Sequence, residues 1–118
     1  MKLDDKWMGG LVHFEEASKE EVLELIKVHG NKNNMEEQQN NSPSIREFLE
    51  LADRYPTMRF HGYIVDKTRS DYRVSIEGFD ATYLNADQAL ALVNDYRLAD
   101  ECTNSKKNGS YEVFTWWD

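Results

Sequence analysis

His61 and Glu77 are the two residues of this chain whose types could do acid–base chemistry together. An imidazole titrates near neutrality, and a carboxylate beside it can hold the ring in one tautomer. Both fall in alternating runs that read as a half-buried antiparallel hairpin over 58–83, so the pairing of those runs decides whether they meet. One register sets His61 opposite Glu77, and another sets Tyr63 opposite Arg73 with Arg59 opposite Glu77. Matching of the core faces allows both and forbids a slip of one residue. A lone histidine on a strand is more often structural than catalytic. The expectation is therefore a protein that is not an enzyme, with His61 and Glu77 as the catalytic candidates if it is one.

Other site chemistry finds less support. His13 and His29 lack companions at ligand spacing, and neither His-x-x-x-His nor Asp-x-Asp-x-Asp-Gly occurs, so no metal site is expected. Cys102 is the one cysteine, which excludes an internal disulfide and a cysteine-built metal cage. It falls at the end of an expected helix, where the dipole opposes a thiolate. Gly-rich phosphate loops and the Gly-x-Ser-x-Gly elbow are absent, and no cofactor is expected.

Binding is the stronger candidate. The hairpin face opposite its apolar side carries Arg59, His61, Tyr63 and Val65 on one strand, and Arg73, Ser75, Glu77 and Phe79 on the other. A last strand over 111–117 alternates aromatics on both faces. If Val113 points to the helices, Phe114 and Trp116 join Tyr63 and Phe79 on the open side, with Arg73 among them. A patch of that kind marks an interface, here for a protein partner or a second copy. The competing readings are a solvated sheet face, a small-molecule site on the same face, and a Trp116 or Trp117 folded over the sheet edge.

Composition narrows the partners. The chain of 118 residues carries a net charge of −8, with 40% hydrophobic and 31% charged residues. That is ordinary for one folded domain, spanning 1–118. A nucleic-acid backbone or an anionic membrane surface demands a basic patch, and none exists, so neither is an expected partner. No run approaches the ~20 apolar residues that span a bilayer. With no leader pattern at the start and a single cysteine, the cytosol is the expected compartment.

The elements that would position these residues are legible from caps and stripes. A strand is expected over 7–14. Ser18 and Glu21, Ser44 and Glu47, and Asn85 and Gln88 each have capping-box form and open three helices. The first is expected to stop at a left-handed Gly30, the second at Pro56, and the third near residue 101. Residues 31–41 are mostly Asn, Gln and Glu, with no apolar face to offset ordering, and read as a mobile linker. Residues 103–110 read as a loop. The expected fold is α+β, a two-layer sandwich with an antiparallel sheet of three or four strands and helices on one face. Leaving the second helix aside gives βαββαβ, a ferredoxin-like order with an extra helix.

Overall fold

The computed structural model describes residues 1–4 and 6–118. The elements are β1 (Lys2–Leu3), β2 (Leu11–Ala17), α1 (Lys19–His29), α2 (Ile45–Arg54), β3 (Arg59–Val65), β4 (Arg73–Leu84), α3 (Ala86–Tyr96), β5 (Glu101–Lys107) and β6 (Ser110–Trp116). All three expected capping boxes are present, each with reciprocal bonds between cap and third residue. Gly30 is extended rather than left-handed, its N–H bonding the Ile26 carbonyl.

The sheet has six antiparallel-paired strands in the order β1-β2-β3-β4-β6-β5, not three or four. It also departs from the ferredoxin-like order, because β2 and β3 pair directly and antiparallel. The second helix is the reason. One helix between two strands returns the chain to run parallel to the first, whereas two helices return it antiparallel, ready to pair as a neighbour. The split arrangement survives only in the second half. There β6 is antiparallel to both β4 and β5, so the two strands joined through α3 run parallel with β6 between them.

Two boundaries move for local reasons. Gly9 and Gly10 take positive φ (63° and 80°) and turn the chain between Met8 and Leu11, so the strand expected over 7–14 begins at Leu11. The third helix ends at Tyr96, and the expected loop over 103–110 is β5 plus a tight Asn108–Gly109 turn into β6.

Facing apolar stripes close one core. Phe60, Ile64, Val74 and Ile76 pack in a single cluster with Phe48, Leu49, Leu92, Val93 and Tyr96. Phe48 sits edge-on to Phe60, Phe79 and Trp117 at ring-centroid distances of 5.8, 6.5 and 5.6 Å. Such contacts add about 0.5–1.5 kcal/mol each beyond area burial.

The hairpin keeps the first expected register from Val65–Arg73 to Gly62–Ile76 and not the second, but a β-bulge breaks it before His61 would meet Glu77. His61 pairs with Gly78 and Gly62 with Ile76, leaving Glu77 as the extra residue; Tyr63 then faces Ser75 and Arg59 faces Asp80. The inserted residue shifts the parity of β4, so Val74 and Ile76 before it and Phe79 and Ala81 after it are all buried. Phe79, expected on the open face, instead packs on Phe48 and Tyr96.

The ground for reading 31–41 as a linker also changes. Asn34 is 1% exposed, in a 3-10 turn (Asn34–Glu36). Its amide donates to the Val74 carbonyl at 3.0 Å and accepts from the Val74 N–H at 2.9 Å. Asn31 donates to the Tyr72 carbonyl at 3.0 Å. Polar side chains bond this segment to β4, at a stretch of its edge that lies beyond the strand's paired positions with β6, and Met35 packs against the core cluster.

Candidate functional site on the open sheet face

The sheet face away from the core carries His13 from β2, His61 and Tyr63 from β3, Arg73, Ser75 and Glu77 from β4, and Phe114 and Trp116 from β6. Alternation places them there: their neighbours Val12, Phe14, Phe60, Ile64, Val74, Val113 and Trp117 are buried on the other side. Phe114 and Trp116 therefore do fall on the open side with Tyr63, and both are half-buried.

His61 lies flat on Phe114, with ring centroids 5.1 Å apart and 10° between the planes. The bulge makes room for it. A Cβ at Gly78 would meet His61 Nε2 at 2.7 Å and would also run into the Thr115 carbonyl, so glycine permits both the close strand approach and the ring. Among the described residues, His61 Nε2 is the one buried side-chain nitrogen or oxygen without a hydrogen-bond partner. Burial pushes its pKa down to about 4, against a smaller opposing pull from the Thr115 carbonyl. It is neutral near pH 7.

Glu77 is directed elsewhere than to His61. Its Oε1 lies 3.8 Å from His13 Nδ1. Burial raises its carboxyl above the ordinary range, and His13 and the Trp116 indole N–H pull it part of the way back. The two catalytic candidates thus sit on the same face without forming an acid–base pair: one imidazole is stacked with its Nε2 unpartnered, while the carboxylate meets the other imidazole.

Tyr63 and Arg73 do come together, though not by facing each other across the strands. Arg73 donates to the Tyr63 hydroxyl at 3.1 Å and lies over its ring, 5.5 Å from the centroid. Gln39 donates to the same hydroxyl at 3.0 Å. Burial works to raise the phenol, but the hydrogen bonding of Gln39, Ser75 and Arg73 and the Arg73 charge outweigh it, so the phenol ends below its ordinary range. Arg73 is further held by the Asp71 carbonyl at 2.8 Å and by Glu37 at 3.7 Å.

At the other end acidic groups predominate, with Arg59 opposite Asp80. Partial burial and the nearby Glu112, Glu16 and Glu15 all raise the Asp80 carboxyl. A cavity of about 270 Å³ adjoins the Tyr63–Arg73 end, and a groove of about 520 Å³ lies on the helical side beside Tyr96, Leu98 and Trp117; neither includes His61 or Glu77. No group of three or more His, Cys, Asp or Glu placed to hold a metal occurs among the described residues. No helix there is long and apolar enough to cross a membrane.

Residue pattern alone missed the Glu77 bulge, the His13–Glu77 contact and the Asn34 bridge. The Glu77-Gly78 dipeptide is the one local hint of the bulge, since glycine inside a strand often marks one. Comparison with protein-family models, curated proteins and solved structures finds no match to this chain.

Proposed function

We propose that this is a small acidic interaction module that binds a protein surface, a second copy included, through the open face of its sheet. The observation that carries this reading is the state of Phe114 and Trp116. They lie half-buried on the face that no helix covers, while Trp117 beside them is 3% exposed and completes the core. An aromatic centre flanked by Arg73 at one end and by Asp80, Glu112 and Glu15 at the other has the apolar-core, polar-rim form of an interface. The acidic end favours a partner that brings basic side chains and disfavours nucleic acid. We place the module in the cytosol, where Cys102 remains a thiol whose pKa burial raises.

An enzymatic use of the same face through His61 and Glu77 has less support, because Glu77 turns to His13 and neither cavity includes His61; a small molecule would instead sit in the cavity lined by Tyr63 and Arg73. Sedimentation of Trp116→Ala tests the reading, with the second copy as the partner supplied. The variant should shift toward monomer with its circular dichroism unchanged. If it unfolds and association is unaltered, Trp116 is a core residue and the reading fails.

A further inference from the structure

β5 ends the sheet, and its outer side is a row of main-chain donors and acceptors that no other strand among the described residues pairs with. The turn fixes which residues supply them. Asn108 and Gly109 both have positive φ (53° and 84°) between the paired Lys107 and Ser110, the two-residue hairpin turn whose flanking pair is hydrogen-bonded. Counting back from Lys107, Ser105, Thr103 and Glu101 also direct their N–H and C=O groups to β6. Cys102, Asn104 and Lys106 direct theirs outward. The strand holds no proline and no bulge, pairs with β6 at all seven positions, and is exposed from Thr103 to Lys107.

The strand is also complementary to itself reversed. A two-fold axis through Asn104 sets Glu101 opposite Lys107 of the second copy, Cys102 opposite Lys106, Thr103 opposite Ser105, and Asn104 opposite Asn104. The outward-facing residues then meet one another as hydrogen-bonded pairs. The Glu101–Lys107 pairs form twice at non-hydrogen-bonded positions, where side chains approach closest. Moving the axis to Thr103 or Ser105 shortens the overlap and removes both charge pairs. Lysines on an edge commonly block such pairing. Here Lys107 is neutralised by Glu101, and Lys106 Nζ already lies over its own Tyr111 ring, 5.7 Å from the centroid.

The geometry points to a two-fold dimer in which β5 pairs antiparallel with β5 of a second copy, centred on Asn104. One strand's edge is a small interface, so the dimer dissociates at about 0.01–1 mM. This contact is made by main chain at the sheet's edge and does not rest on the aromatic-face reading.

Charge reversal tests it by sedimentation of the full chain over about 0.01–2 mM. Lys107→Glu alone and Glu101→Lys alone each place like charges at both ends of the pairing, and each should weaken the dimer about tenfold. An equimolar mixture of the two variants restores both opposite-charge pairs and should associate as the natural chain does. Asn104→Pro removes the central N–H, which faces away from β6, and should abolish the dimer with the circular dichroism unchanged. A chain that stays monomeric to the top of that range overturns the proposal. So does a mixture no tighter than its components, or a dimer lost in Trp116→Ala yet indifferent to the charge variants, which would assign association to the open face.

Discussion

Outward-facing main-chain groups meet opposite fates at two edges in this sheet. At the start of β4, the carbonyl of the preceding Tyr72 is bonded by Asn31 and both groups of Val74 by Asn34, before β6 takes over the same side of the strand. On β5, the groups of Cys102, Asn104 and Lys106 are left open. Burial explains the contrast. Val74 is 0% exposed, and an unmet group there costs about 1–3 kcal/mol. The β5 edge stands in water, which meets its groups at little cost and yields them to a partner. A polar segment is ordered to seal the edge that cannot be left open, and none is spared for the edge that can.

Breaking the sealed edge should have the largest effect. Asn34→Ala leaves the Val74 N–H and C=O unmet and should lower stability by about 2–4 kcal/mol in urea unfolding. A loss under about 0.5 kcal/mol would show that water replaces the amide and that the contrast between the edges is false.

His61 lies opposite Gly78, where the outer side of β4 passes from Asn34 to β6. Its folded pKa is about 4 against an ordinary 6.5, so its stabilisation is full above pH 6.5 and is lost as pH falls through that window. The loss is on the order of 2–3 kcal/mol by pH 4. The raised carboxyls of Glu77 and Asp80 act with the opposite sign, favouring the fold as they protonate. The difference between the natural chain and His61→Phe isolates the histidine: that variant should lose less stability between pH 6.5 and 4. Parallel acid profiles would mean that the ring is solvated when folded.

The smallest stability effect belongs to the open edge. Asn104→Pro should cost less than about 1 kcal/mol, since the lost N–H bonds nothing within the chain. Hydrogen exchange sharpens the same contrast. In dilute protein the Val74 amide should exchange slowly and those of Cys102, Asn104 and Lys106 quickly. Equal protection at both sites would dissolve the distinction.

What the sequence discloses follows what burial and capping control. Three capping boxes and the stripes of Phe48, Leu49, Leu92 and Tyr96 suffice for the helices and the core, because each rests on local chemistry or strict periodicity. β5 escapes such reading because it is polar on both faces and has no alternation to detect, although Asn108-Gly109 is a hairpin signal. The placements of Tyr63, Phe114 and Trp116 follow from alternation. That of Phe79 does not, because one inserted residue reverses parity and only the adjacent Gly78 hints at the change. Asn34 is illegible for another reason: a polar side chain that closes a strand edge has the same composition as one in a solvated loop.

This protein is proposed to meet its partners on the uncovered side of its sheet and not on its helical side. The two adjacent tryptophans test it directly, because Trp116 faces that side and Trp117 the core. Their indole N–H signals can be followed by NMR from dilute to concentrated protein, with Asn104→Pro used to remove edge pairing. The Trp116 signal should move with concentration while Trp117 stays fixed. A fixed Trp116 with movement at Trp117 and Leu98, on the helical side, would contradict it.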